Sequence, residues 1–206
     1  SHALYYVMVY LGSKDANFYC VDAKTGKKLW SFTTGDIVFT SAAISKKGYV
    51  YFGSLDDKVY CLDAATGVKA WEFLTNGDVQ SSPAVTKEYV HIGSSDGNLY
   101  CLDAELGTRM WSYRTGGSIY SSPAVAGGRV YVGSFDKRLY CLKAADDEEE
   151  QWPMFRYNLT RTGSRAQASC IASSVLGPAN EKLAALRDFR DNVLAKTPAG
   201  KAIIAA

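Results

Sequence analysis

YCLDAATGVKAW, residues 60–71, decides the fold, because close variants of it recur along the chain. Extended outward, GSLDDKVYCLDAATGVKAWEF begins at Gly53, GSKDANFYCVDAKTGKKLWSF at Gly12, GSSDGNLYCLDAELGTRMWSY at Gly93 and GSFDKRLYCLKAADDEEEQWPMF at Gly133. The starts lie 41, 40 and 40 residues apart, and Cys20, Cys61, Cys101 and Cys141 keep the same beat. A fixed period of this kind signals one supersecondary unit per copy, each leaving an apolar face that only its neighbour can cover.

Each period reads as four strands. VQSSPAV (79–85) is matched by IYSSPAV (119–125) and more loosely by VFTSAAI (38–44). YVHIGS (89–94), NLYCLDA (98–104) and MWSYRT (110–115) supply the other three strands of that copy. These runs are rich in Val, Ile, Tyr and Trp and alternate partly with period two, as strands do. Between them, SDGN (95–98) is a hairpin turn, since Asp-Gly tolerates positive φ. A four-stranded antiparallel unit of about 40 residues is a propeller blade, so an all-β propeller with about four blades per chain is expected.

Composition agrees with that class. The chain has 206 residues, 18 Gly, 14 Tyr and only 5 Pro, which suits many short strands joined by tight turns. A net charge of +2 gives no basic stripe for nucleic acid. No apolar run approaches the roughly 18–20 residues that span a bilayer as a helix. Ser1-His2-Ala3 is no signal peptide and resembles a tag remnant, so the natural chain is expected to begin earlier.

The repeated phrase resembles the blade signature of the quinoprotein, or PQQ-like repeat, propellers: small residue, x, Asp, x, x, Thr-Gly, x, x, x, Trp. Cys20, Asp22, Thr25, Gly26 and Trp30 fit it. So do Cys61, Asp63, Thr66, Gly67 and Trp71, and, with Leu106 in place of Thr, Cys101, Asp103, Gly107 and Trp111. In the fourth copy Lys143 replaces the Asp, the Thr-Gly is lost, and Trp152 comes one place late. The resemblance implies blade-docking residues, with the indole flat between neighbouring blades against the small first residue. Physically, the Thr-Gly makes a turn, the Asp accepts hydrogen bonds from it, and the Trp buries a large apolar area.

Chemistry beyond that is sparse. Cysteines about 40 residues apart fit no local zinc pattern, and each repeat cysteine reads as a buried, inert thiol. Cys170 lies outside the repeat and is the thiol with a candidate special role. Asp15, Asp56, Asp96 and Asp136 of the GSxD turns read as turn stabilisers, since lone carboxylates a blade apart form no calcium site. His91 replaces the Tyr of other copies, and no Ser-His-Asp set is evident. Neither catalytic residues nor metal ligands are assigned. Thr40 (or its neighbour Phe39), Gln80 and Tyr120, placed before or among the first-strand serines, are candidate channel-facing ligand contacts.

The chain divides at 163/164 into the repeat domain, 1–163, and a tail, 164–206. Residues 146–150 are an acidic run, and QWPMFRYNLTRTG (151–163) resembles the family's segment that closes the ring. Residues 152–157 are expected either to complete the fourth blade or to open a further set. In the tail, Cys170-Ile171-Ala172, Gly177 and LRDFRD (186–191) resemble the CFIATAAYGS tail of bacterial exported proteins. Leu183, Leu186, Phe189 or Arg190, and Val193 follow the spacing of an amphipathic helix, either packed on the protein or laid on a membrane surface or partner.

The expected function is a non-catalytic propeller that binds or scaffolds proteins in the periplasm or outside the cell, with no cofactor. The outer-membrane assembly lipoprotein with the same repeats is the family precedent. The alternative is part of a PQQ- and calcium-dependent alcohol or sugar dehydrogenase; that family often carries an adjacent Cys-Cys pair, which is absent here. Family propellers close with seven or eight blades, so two chains pairing head to tail, a homodimer, would complete one ring. The rival is a tail helix folded over one open face.

Overall fold

The structure, a computed structural model, describes residues 8–144 and the short strand 150–152. The first blade holds β1 (Met8–Gly12), β2 (Asn17–Asp22) and β3 (Lys28–Thr33). The second holds β4 (Ala43–Ile44), β5 (Tyr49–Gly53), β6 (Lys58–Asp63) and β7 (Lys69–Leu74). The third holds β8 (Ala84–Thr86), β9 (Tyr89–Gly93), β10 (Asn98–Asp103) and β11 (Arg109–Arg114). The fourth holds β12 (Ala124–Ala126), β13 (Arg129–Ser134) and β14 (Arg138–Lys143). All pairings are antiparallel between strands consecutive in the chain, apart from one.

The exception is β15 (Glu150–Trp152). It pairs antiparallel with β8, Glu150 opposite Thr86 and Trp152 opposite Val85. It therefore extends the inner edge of the third blade, whose open row of amides and carbonyls accepts another strand. Among the described residues the fourth blade keeps three strands, and Trp152 does not lie on its outer edge. The tail helix, Cys170 and residues 153–163 lie outside the described residues.

The hairpin turns follow from backbone sterics. Gly97 takes φ +87° in the SDGN turn, and Ala16, Asp57 and Lys137 hold the same place at +62°, +66° and +69° in the other copies. Three of four copies thus accept a left-handed L-residue where Gly would be cheaper. On each outer hairpin the register slips by one residue just after the repeat cysteine. Leu29, Ala70 and Met110 are the extra residues of these bulges. A bulge adds twist, and here it brings Trp30, Trp71 and Trp111 directly opposite Cys20, Cys61 and Cys101.

Three apolar clusters fill the spaces within and between successive blades. The first joins Tyr10, Phe18, Trp30 and Phe32 to Val50, Phe52, Tyr60 and Leu62, with Phe18 and Phe52 stacked at 3.8 Å. The second joins Tyr51, Val59, Cys61 and Trp71 to Val90, Ile92, Tyr100 and Leu102. The third joins Leu99 and Trp111 to Ile119, Val130 and Val132. The middle blades are covered on both faces, so β5, β6, β9 and β10 are buried almost without interruption. The end strands β1 and β14 keep a period-two alternation, with one face exposed.

Candidate functional site

The seam between blades is where the repeated residues converge. Asp63 ends β6, and its Oδ1 accepts from the amides of Ala65 (3.1 Å) and Thr66 (2.8 Å) and from the Thr66 hydroxyl (2.7 Å). Asp22 does the same for Lys24 and Thr25. In the third blade Asp103 holds only the amides of Glu105 and Leu106, both at 2.8 Å, because Leu106 has no hydroxyl to give. The threonine hydroxyls are the largest cause holding the Asp22 and Asp63 carboxyls below their ordinary range.

This cap fixes the following glycine at positive φ, +73° for Gly67 and +69° for Gly107. The glycine is a seat for the preceding blade. A Cβ on Gly67 would stand 2.6 Å from the Trp30 ring, and one on Gly107 would stand 2.5 Å from the Trp71 ring. Each indole also donates Nε1–H to the carbonyl three residues before its seat, Trp30 to Ala64 at 3.2 Å and Trp71 to Ala104 at 3.1 Å. Tyr10 and Tyr51 donate to the same two carbonyls at 2.9 and 3.0 Å. These first two seams thus have a direction: blade n gives an indole and a phenol, blade n+1 gives a bare glycine and a carbonyl. The cysteine, which the resemblance places beneath the indole, lies across from it in the same sheet.

A second stitch joins the blades at the GSxD turns. The GSxD aspartates cap their own turns, but those of the second, third and fourth blades also reach the preceding blade. Asp56 accepts from the Gly35 amide at 2.7 Å, Asp96 from Asn76 at 3.2 Å and Asp136 from Gly116 at 2.9 Å. The phenol four residues on holds the same carboxylate at 2.5 to 2.6 Å in all four copies, by Tyr19, Tyr60, Tyr100 and Tyr140. The constant Asp-x-x-x-Tyr spacing was the available signal. Nearer the inner strands, Ser41 and Ser82 donate their amides to the hydroxyls of Ser82 and Ser122, one blade further on.

Burial pushes the Cys61 and Cys101 thiols up to about 12, and the Cys20 thiol upward. Cys141, on the fourth blade, is exposed. His91 is buried and packs its ring against Trp111 at 5.7 Å. Thr40 is buried and exchanges hydrogen bonds with the Gly53 backbone, both at 2.9 Å, as Ser121 does with Gly133. It belongs to that latch, and the residue level with Gln80 and Tyr120 is Phe39. Phe39 is exposed with the Lys14 ammonium 5.5 Å from its ring, Tyr120 meets Phe135 edge-on at 4.9 Å, and Gln80 is half-buried. Among the described residues no cluster of three His, Cys, Asp or Glu could hold a metal ion. Nor is any described helix long and apolar enough to cross a membrane.

A sequence profile of the family described as outer membrane protein assembly factor BamB matches residues 14–118 and 82–203. The chain belongs to that family. Among solved structures, BamB from Moraxella catarrhalis is 23% identical with a TM-score of 0.61, over 69% of this chain and 48% of its own. The computationally designed protein Ika4 is 19% identical with a TM-score of 0.61, over 67% of this chain and 86% of its own. The designed protein Ika8 is 19% identical with a TM-score of 0.60, over 68% and 44%. At these identities the likeness is one of fold, the PQQ-like repeat β-propeller, and the chain spans about half the length of the Moraxella BamB. No curated protein sequence matches it.

Proposed function

We propose that this chain is a non-catalytic propeller domain that binds and scaffolds proteins, in an exported bacterial protein of the periplasm, and that it works as a homodimer without cofactor. Residues 1–163 form the repeat domain in this reading, with 164–206 a separate tail. Membership of an outer membrane assembly family supports the compartment and the class of partner. The observation that carries the non-catalytic reading is how the repeated side chains are used. Asp63, Thr66, Gly67 and Trp71, with their counterparts, form a tryptophan docking motif whose polar atoms are spent on turns and seams. Thiols raised to about 12 are poor nucleophiles at neutral pH.

The candidate partner contacts are Phe39, Gln80 and Tyr120, with Lys14 and Phe135 beside them. The exposed rings of Phe39 and Phe135, the half-buried ring of Tyr120 and the Lys14 cation by Phe39 suit recognition of another protein. Replacing Phe39 or Tyr120 by a photo-crosslinking amino acid tests this in the periplasm. Adducts with a component of outer membrane assembly are expected, and their absence from both positions would remove the proposed partner surface. Titration with PQQ and calcium, followed by absorbance, tests the cofactor-free reading; saturable binding would overturn it.

A further inference from the structure

The two end faces of the described blades carry the two halves of one more seam. On the outward face of the first blade, Val9 and Leu11 stand where Val50 and Phe52, or Val90 and Ile92, stand in the middle blades. Those four are 0% exposed, whereas Val9 is 40% and Leu11 42% exposed. Tyr19, Val21 and Ala23 continue the correspondence with Tyr60, Leu62 and Ala64. The Asp22 cap is built as completely as that of Asp63, and Gly26 sits at φ +69° like the occupied seats. Yet among the described residues nothing lies within 4 Å of a Cβ placed there.

The fourth blade has the opposite half. Ala124, Tyr131, Leu139 and Cys141 correspond to Ala43, Tyr51, Val59 and Cys61, all buried against the third blade. Leu139 is 75% exposed and Cys141 is exposed. Gly133 is kept bare like Gly53 and Gly93, where a Cβ would stand 2.2 Å from Val79 and Ile119 of the next blade. At Gly133 it would meet only Ser121 of its own blade, at 3.5 Å. The receiving face and the aliphatic and phenol part of the giving face are thus formed, at opposite ends of the described blades.

We propose that the fourth blade of one chain seats on the first blade of a second copy, and reciprocally, through two identical seams. This rests on the homodimeric reading above and names its surface. Leu139, Tyr131 and Cys141 cover Val9, Leu11 and Val21 of the second copy. The Tyr131 hydroxyl donates to the Ala23 carbonyl of that copy, as Tyr10 and Tyr51 donate to Ala64 and Ala104. The occupant is a second copy because Tyr131, Leu139 and Cys141 on one face and Val9, Leu11, Val21 and Ala23 on the other stand at the positions whose counterparts meet in the internal seams.

The test is mass in solution with full-length chains, using Leu139→Asp, Leu11→Lys and Tyr131→Phe. Wild type is expected at twice the 22.4 kDa chain mass. Leu139→Asp and Leu11→Lys are each expected to be folded monomers. Mixed together they should form dimers, because a mixed pair has one wild-type seam and one Asp–Lys seam. Tyr131→Phe, which removes one hydroxyl from each of the two seams, should weaken the dimer about thirtyfold. In wild type, labelling of Cys141 should slow as concentration rises. A monomeric wild type, whether covered by its own residues 164–206 or by nothing, would overturn the homodimer and the seam together. A dimeric wild type whose charged variants stay dimeric, or whose monomeric variants fail to rescue each other, would overturn the seam alone.

Discussion

Placing a methyl group under an indole is the sharpest probe of the seam. Ala at position 107 would put its Cβ 2.5 Å from Cδ2, 2.7 Å from Cε3 and 2.9 Å from Cγ of Trp71. Carbon atoms in contact prefer about 3.5–4.0 Å, so the ring must retreat by roughly 1 Å. Retreat strains the 3.1 Å bond from Nε1 to Ala104 and loosens Trp71 against Tyr51. Overpacking of this kind costs about 1–3 kcal/mol. The left-handed backbone adds about 1–2 kcal/mol for any L-residue. Gly48→Ala supplies the control: φ is +85° there and nothing lies within 4 Å, so only the backbone cost remains. The expected losses are about 2–5 kcal/mol for Gly107→Ala and about 1–2 kcal/mol for Gly48→Ala. At a urea slope of about 1–3 kcal/mol/M the midpoints should differ by on the order of 1 M. Urea melts followed by far-UV circular dichroism, at one protein concentration, measure this. In a Trp71→Leu background the excess cost of Gly107→Ala should disappear. Equal midpoint shifts for the two glycines, or full additivity with Trp71→Leu, would refute the seat.

Leu106→Thr should stabilise the chain by about 0.5–1.5 kcal/mol, since it adds the hydroxyl bond to Asp103 that the other two turns possess and removes an exposed leucine; an unchanged urea midpoint would show the hydroxyl is idle. Stability should fall in acid. The Asp22 and Asp63 carboxyls are held below their unfolded value near 4, chiefly by Thr25 and Thr66. Their contribution is therefore complete above that value and is lost as pH drops through the lower folded values. Thr66→Val should make this decline shallower, and an unaltered pH–stability slope would contradict the assignment. In Leu139→Asp carrying Cys170→Ser, a maleimide probe at pH 8 should label Cys141 quickly and leave Cys20, Cys61 and Cys101 untouched; fast modification of a second thiol would contradict the burial that raises them.

Periodicity made the strands legible, because each copy repeats the same turn chemistry around the same apolar core. It also made the Asp–Thr cap legible, since acceptor and donors lie three residues apart and need no knowledge of the neighbouring blade. What it hid was everything between copies. The indole lies opposite the cysteine of its own sheet but rests on the glycine of the next blade, a pairing across 37 residues for Trp30 and Gly67. The bulge at Leu29 and Met110 breaks the alternation just before each tryptophan, so a strict period-two reading assigns those side chains to the wrong face. Sequence proximity to the serines leaves Phe39 and Thr40 both level with Gln80; the hydroxyl latch to Gly53 puts Thr40 one residue further along, with Ser81 and Ser121. β15 was illegible because strand addition to β8 depends on an open edge, which no residue type announces.

The fourth copy shows that a seam has two separable layers. In its sequence Lys143 replaces the Asp and Asp146-Asp147 replace the Thr-Gly, so the residue types of the cap and the seat are missing where Trp111 would dock. The seam nevertheless forms. Gly116 still donates to Asp136, Phe135 to the Ser118 carbonyl and Ser82 to the Ser122 hydroxyl, while Leu99 and Ile119 pack on Val130 and Val132. The polar stitches and the aliphatic core therefore suffice to place one blade on the next, and the indole adds the outer clamp. That division bears on the proposed seam between copies. The fourth blade offers Tyr131, Leu139 and a bare Gly133, which are the aliphatic core and the phenol clamp, but no described indole for Gly26. A contact with the first layer and half of the second is weaker than an internal seam, which is the behaviour expected of an interface that assembles after each chain has folded.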